Sequence, residues 1–142
     1  MSDTSIQPGG APPPQPNTLN PTVSGAILPG TPVYTLADGT IGPAKADSAT
    51  TAFAQGVSLI PAANTERGQY RYSGPVTLTV AEWTAVLNTG TELTPGAPYY
   101  VSQATAGKLT KTIPGSGLAV TLGIATSPLC LLVNPNWRTI AG

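Results

Sequence analysis

The chain has no histidine, one cysteine and very little charge, with six basic and six acidic residues among 142. Charged side chains make up 8% of it, where a typical soluble domain carries about a quarter. Each absence excludes a class of chemistry. Without imidazole, and with Cys130 as the only thiol, there is no ligand set for zinc, haem or an iron–sulfur cluster, and no internal disulfide. No cofactor is therefore expected. The six cations, Lys45, Arg67, Arg71, Lys108, Lys111 and Arg138, are scattered and form no stripe that could displace counterions from phosphates. That argues against a nucleic-acid partner. No apolar run approaches the length of a membrane span, and the start Met-Ser-Asp-Thr lacks a basic and then apolar leader pattern. The expectation is a protein made in a reducing compartment, with no membrane partner.

What replaces the charge is Thr, Ser, 16 glycines and 16 prolines, around an apolar fraction of 40%. Residues 1–22 hold Pro8, Pro12, Pro13, Pro14, Pro16 and Pro21, with little apolar bulk beyond Ile6 and Leu19. Such a segment cannot bury enough surface to offset its ordering entropy, which predicts an extended, partly polyproline-II arm. From residue 23 to 142 short runs of Val, Ile, Leu, Thr and Tyr alternate with Gly, Pro, Asn or Asp about every ten residues. This is the pattern of an all-β body, a small sandwich or barrel.

Strands are predicted at 32–36, 40–45, 54–60, 69–73, 75–79, 98–102, 108–113, 120–125 and 129–133. The Asp38-Gly39 pair predicts a hairpin whose two turn positions both accept positive φ. One helix is expected, from 80 to about 87. Thr79 and Glu82 have capping-box spacing, and Trp83 and Leu87 fall on one face. Cys130, in an apolar run, is expected to be a small buried core residue.

Leu28-Pro29-Gly30-Thr31-Pro32-Val33-Tyr34 recurs as Thr94-Pro95-Gly96-Ala97-Pro98-Tyr99-Tyr100, an offset of 66 residues. Downstream, Gly56-Val57-Ser58 recurs as Gly123-Ile124-Ala125 at an offset of 67. Two copies of one β unit, over about 28–62 and 94–129, are the simplest source of both offsets. In each, Pro-Gly-X-Pro turns a corner and a hairpin follows. The glycine opening the last strand would then permit a bend or a close backbone approach.

Catalytic patterns are missing. Asp38 and Asp47 sit in turns, Glu82 has a capping role, and no nucleophile elbow, phosphate loop or calcium loop occurs. A glycosidase-like pairing of Glu82 with Glu92 has nothing in its spacing to favour it. Among aromatics, Tyr70 and Tyr72 share a strand face and could form a ridge. Trp137 is hard to place in a core, and would either pack back on the body or anchor a partner.

Residues 76–135 resemble a module of tailed-phage structural proteins. The similarity rests on Leu78-Thr79, Trp83, Val86, Gly90, Leu93-Thr94, Gly96, Tyr99-Tyr100-Val101-Ser102, Gly107-Lys108-Leu109-Thr110, Pro114 and Gly123-Ile124-Ala125-Thr126-Ser127. The first half is similar in layout to capsid decoration (cement) proteins, through Thr31-Pro32-Val33-Tyr34, Asp38-Gly39 and Ala54-Gln55-Gly56-Val57 behind a proline-rich arm. The resemblance implies a non-enzymatic virion protein on the outer capsid surface, made in the host cytoplasm. It would be a homotrimer that bridges capsomers of the major capsid protein. Contacts are expected from Ile6, Pro8, Pro12, Pro13, Pro14 and Leu19 of the arm and from Trp137. The alternative is a fibre-associated receptor or carbohydrate module using Tyr70, Tyr72 and Trp137.

Overall fold

A computed structural model describes residues 17–47, 51–114 and 117–140. The chain forms strands β1 (Thr18–Leu19), β2 (Pro32–Thr35), β3 (Ile41–Pro43), β4 (Gly56–Ser58), β5 (Tyr70–Arg71) and β6 (Gly74–Thr77). Helix α1 (Val80–Val86) follows, then β7 (Pro98–Val101), β8 (Leu109–Thr110), β9 (Gly117–Ser127) and β10 (Cys130–Ile140). Two five-stranded antiparallel sheets result, in the orders β1-β5-β4-β2-β3 and β6-β10-β9-β7-β8. The fold is a small β-sandwich with one short helix. Residues 1–16 of the expected arm lie outside the described residues.

The sheets share a core. Val57 from the first packs in one cluster with Val76, Val101, Val120, Leu122, Leu131 and Val133 of the second and with Trp83 and Val86 of the helix. A smaller cluster covers the other face of the first sheet, where Val33, Ile41 and Tyr70 meet Val23, Ile27 and Ala62. Strand β2 serves both: Val33 joins the smaller cluster while Tyr34 packs against the larger, as a period of two requires.

Helix α1 starts with the expected capping box. Thr79 Oγ1 accepts from Glu82 N at 3.1 Å, and Thr79 N donates to Glu82 Oε1 at 2.9 Å. The helix connects β6 to β7, and its inner face presses on the first sheet's corner. A Cβ added at Gly30 would lie 2.8 Å from Val86 and 3.4 Å from Trp83.

The two sheets have the same internal pairing order, β5-β4-β2-β3 in one and β10-β9-β7-β8 in the other. Local bonding corresponds as well. Gly30 N donates to Ser58 O and Ser58 N to Thr31 O; Gly96 N donates to Ala125 O and Ala125 N to Ala97 O, all at 2.8–3.0 Å. Gly30 and Gly96 have φ of 88° and 84°, which L side chains rarely adopt. The glycines that open the last strands also correspond. A Cβ at Gly56 would fall 2.3 Å from Arg71 O on β5, and one at Gly123 2.0 Å from Leu132 O on β10.

Three details differ from the sequence expectation. At the Asp38-Gly39 turn only Gly39 has positive φ, at 88°. Leu36 N bonds Thr40 O and Gly39 N bonds Leu36 O, so the loop has three residues with glycine in the left-handed position. Asp38 instead accepts from the amide and hydroxyl of Thr40, at 3.0 and 2.6 Å. Cys130 is half-buried, because it opens β10 at the hairpin end and not in mid-core. Finally, β10 does not stop at 133 but runs on to 140.

Candidate functional site

The extension of β10 produces the most unusual surface of the molecule. Between Val133 and Asn136 the register with β9 shifts: Val133 faces Gly123 and Asn136 faces Thr121, so Asn134 and Pro135 together oppose Leu122. This is a β-bulge, a position where proline's missing N–H removes no ladder bond. The strand therefore continues and carries Trp137 opposite Val120. Trp137 meets Phe53 edge-on, with ring centroids 4.9 Å apart, yet stays 56% exposed. Strand β6 reaches only as far as Val133, so among the described residues 134–140 have β9 on one side and no strand on the other. That is a bare sheet edge seven residues long.

On the outer face of the same sheet, the register aligns Pro75 with Leu132, Leu132 with Ile124, and Ile124 with Pro98. Cross-strand partners lie on one face, so these four apolar residues make a row across β6, β10, β9 and β7. At about 4.8 Å per strand the row is roughly 14 Å long. Ile124 is 50% exposed and Leu132 46%. A groove of about 250 Å³ between β9 and β10 crosses it at Ile124 and Leu132 and is lined further by Thr121, Gly123, Asn134 and Asn136. It contains amides, a hydroxyl and apolar carbon but no charge. Thr121 and Asn136 also line the neighbouring depression that includes Trp137 and Arg138.

The expected contact residues do not form one site. Leu19 is exposed on β1 of the first sheet, paired with Tyr70, whereas Trp137 is on β10 of the second. Ile6, Pro8, Pro12, Pro13 and Pro14 lie outside the described residues. Tyr70 and Tyr72 form no ridge: Tyr70 is buried in the smaller cluster, and Tyr72 falls beyond the end of β5 and is exposed. Tyr99 is buried too, its hydroxyl accepting from Thr94 N at 2.7 Å. Glu82 is engaged in the helix cap. Ile124, Leu132, Asn134 and Asn136 were missed. The apolar run 129–133 reads as wholly buried, although inward Leu131 and Val133 require Leu132 to point outward.

Among the described residues no group of three or more Cys, Asp or Glu could hold a metal, and no helix is long and apolar enough to cross a membrane. No protein-family model matches the chain, and no curated protein matches it.

Titration belongs to the extremes of pH. Hydrogen bonds from the Thr40 hydroxyl and amide hold Asp38 below the usual carboxylate range, and the Lys45 ammonium, 3.1 Å away, does the same for Asp47. Depressed carboxylates stabilise the fold above their unfolded pKa, and that contribution is lost as pH falls through the folded values. Burial, with a smaller effect of Tyr72, raises the Tyr70 phenol, whose contribution is lost as pH rises through the folded value. With no histidine, the melting temperature is expected to be flat from about pH 5 to 8 and to fall slightly in acid. The fall in acid stays small because both carboxylates are on the solvent-exposed surface. A thermal-melt series over pH checks this; a transition centred near pH 6.5 would contradict it.

Proposed function

We propose that the protein is a virion structural component that decorates a phage capsid, binding the major capsid protein and stabilising the shell by bridging capsomers as a homotrimer. It acts by contact and not by catalysis, at the outer capsid surface. The observation that carries this reading is the bare edge of β10, where residues 134–140 lack a second strand neighbour among the described residues and present a half-exposed Trp137. An open edge accepts an extended segment of another chain through main-chain hydrogen bonds, and a tryptophan beside it supplies the anchor. The low charge of the chain fits such a role, since the centres of protein interfaces are depleted in charge. The resemblance of residues 76–135 to phage structural modules supports reading the partner as the major capsid protein.

Purified protein is expected to co-sediment with expanded phage capsids assembled from the major capsid protein, and to raise their resistance to heat. Trp137→Ala is expected to weaken binding about 30-fold, a loss of roughly 2 kcal/mol typical of an interface anchor. Deletion of residues 1–16, which leaves β1 and the bonds to Asn17, Pro21 and Thr22 in place, should weaken it further. Failure of the intact chain to bind such capsids would overturn the proposal.

A further inference from the structure

We propose that the outer face of the second sheet carries a binding site for an acidic oligosaccharide, with a sugar carboxylate held by Arg138 and Asn136 and the adjoining ring lying over Ile124 and Leu132. The register builds the site. Tyr100, Thr121 and Asn136 are aligned across β7, β9 and β10, and Ala119 with Arg138 is the neighbouring pair on β9 and β10. Cross-strand partners share a face, as do residues two apart on one strand, so these five residues ring one spot. Ala119 is buried and small, which leaves a depression of about 250 Å³ among its larger neighbours. This depression shares Thr121 and Asn136 with the groove at Ile124, Leu132 and Asn134, so the two hollows run together. The bulge at Asn134-Pro135 makes the junction, since it brings Asn136 level with Thr121 and leaves both asparagines lining the groove. The joined hollows are on the order of the ligand clefts of folded proteins, about 300–1,000 Å³.

The donors decide the ligand. Asn136 Oδ1 accepts from Trp137 N at 2.8 Å, so the acceptor of that amide is engaged and its two N–H donors remain. Arg138 adds a guanidinium, with five donors and no acceptor, and Thr121 and Tyr100 carry hydroxyls. No carboxylate lines either hollow, and among the described residues the one ion pair is Lys45 with Asp47, so Arg138 brings its charge to the depression without a counter-ion. Such a donor set calls for an anion, and a planar carboxylate matches the guanidinium fork in two parallel bonds. The adjoining groove has another character: it is neutral, with the Asn134 amide beside half-exposed Ile124 and Leu132. A sugar ring carries hydroxyls at its rim and C–H groups on its faces, which suits an amide beside apolar carbon. A sugar acid joined to a neutral sugar therefore satisfies both hollows. A peptide carboxyl terminus fits less well, because it is captured by a nest of backbone N–H groups, and the donors here are side chains on a sheet face. Neither hollow uses the main-chain edge of β10, so the inference does not rest on the capsid reading.

The test is an NMR titration of the isotope-labelled full-length chain with sialyllactose and with a glucuronic acid disaccharide, the two common sources of a sugar carboxylate. At least one of them is expected to shift the amides of Thr121, Ile124, Asn136 and Arg138 and the side-chain amide of Asn134 at millimolar concentration, with Tyr34 and Gly42 unmoved. Lactose, the neutral counterpart, should bind about tenfold more weakly, and Arg138→Gln should cost the acidic sugar about the same factor. Asn136→Asp keeps an acceptor for Trp137 N but replaces the donors with a negative charge, and should abolish binding. Both positions are exposed, and unshifted signals from the first sheet show that the variants fold. No shift with either acidic sugar, or lactose binding as well as they do, would overturn the proposal. Equal binding of acetate or of a peptide ending in leucine would overturn it too, since the site would then read a bare carboxylate or a chain terminus. So would unchanged affinity in Arg138→Gln. None of these results depends on capsid binding.

Discussion

Gly123→Ala is expected to unfold the protein. The methyl group would sit 2.0 Å from Leu132 O, 2.8 Å from Leu132 C and 3.0 Å from Val133 Cα, all backbone atoms of the neighbouring strand. No rotamer change can relieve a contact with a main chain. Either β9 and β10 separate, which breaks the central pairing of the second sheet, or the strand twists and withdraws Leu122 and Ala125 from the core. A loss above about 4 kcal/mol is expected, against a total of about 5–15 kcal/mol for a typical domain. Gly56→Ala should behave alike, with Arg71 O at 2.3 Å. Gly39→Ala and Gly90→Ala are the controls: both glycines have positive φ but nothing within 4 Å. They should cost only about 1–2 kcal/mol in backbone conformation. Urea midpoints and soluble yield decide the matter. A Gly123→Ala protein as stable as Gly90→Ala would mean that the two strands are further apart than described.

Trp83→Ala should be nearly as damaging, by a different route. Trp83 is fully buried in the shared cluster, and its Nε1 donates to Leu129 O at 2.8 Å. Truncation removes the largest side chain of the core and one of the two donors to Leu129 O, which keeps its bond from Leu78 N at 3.1 Å, for an expected loss of about 3–5 kcal/mol that comes mainly from the cavity. Trp83→Phe keeps much of the volume but not the donor, so it should fall between the two. The same geometry offers a readout. Of the two tryptophans, Trp83 is enclosed and Trp137 mostly exposed, so quenching by acrylamide should spare one emission component in the wild type and none in Trp83→Phe.

Much of this was legible in the sequence where local chemistry decides. Thr79 and Glu82 announce the helix because both capping bonds lie within one turn. The recurring Pro-Gly-X-Pro and the glycines at 56 and 123 announce corners and close approaches because no other residue fits them. What escaped was decided by partners distant in the chain. The predicted strand ends at Val133, and only the presence of β9 alongside makes Asn134-Pro135 a bulge within a longer strand. Leu132 and Ile124 look like core because their neighbours are; which face is wet depends on what covers the sheet. Tyr70 and Tyr72 look equivalent, yet β5 ends between them.

The position of β6 sets the order in which the molecule can be assembled. Among the described residues its only strand partner is β10, which begins more than fifty residues later and after the helix, β7, β8 and β9 have been made. During synthesis the first sheet can pair all its strands once residue 71 has emerged, but the second has no complete centre until β10 has emerged. The nascent chain must therefore carry Val76, Leu78 and Trp83 without β10 while about fifty further residues are added, and closure comes as a late, long-range event. A chain stopped just before Cys130 would not be a shortened protein but one that has never acquired its second sheet.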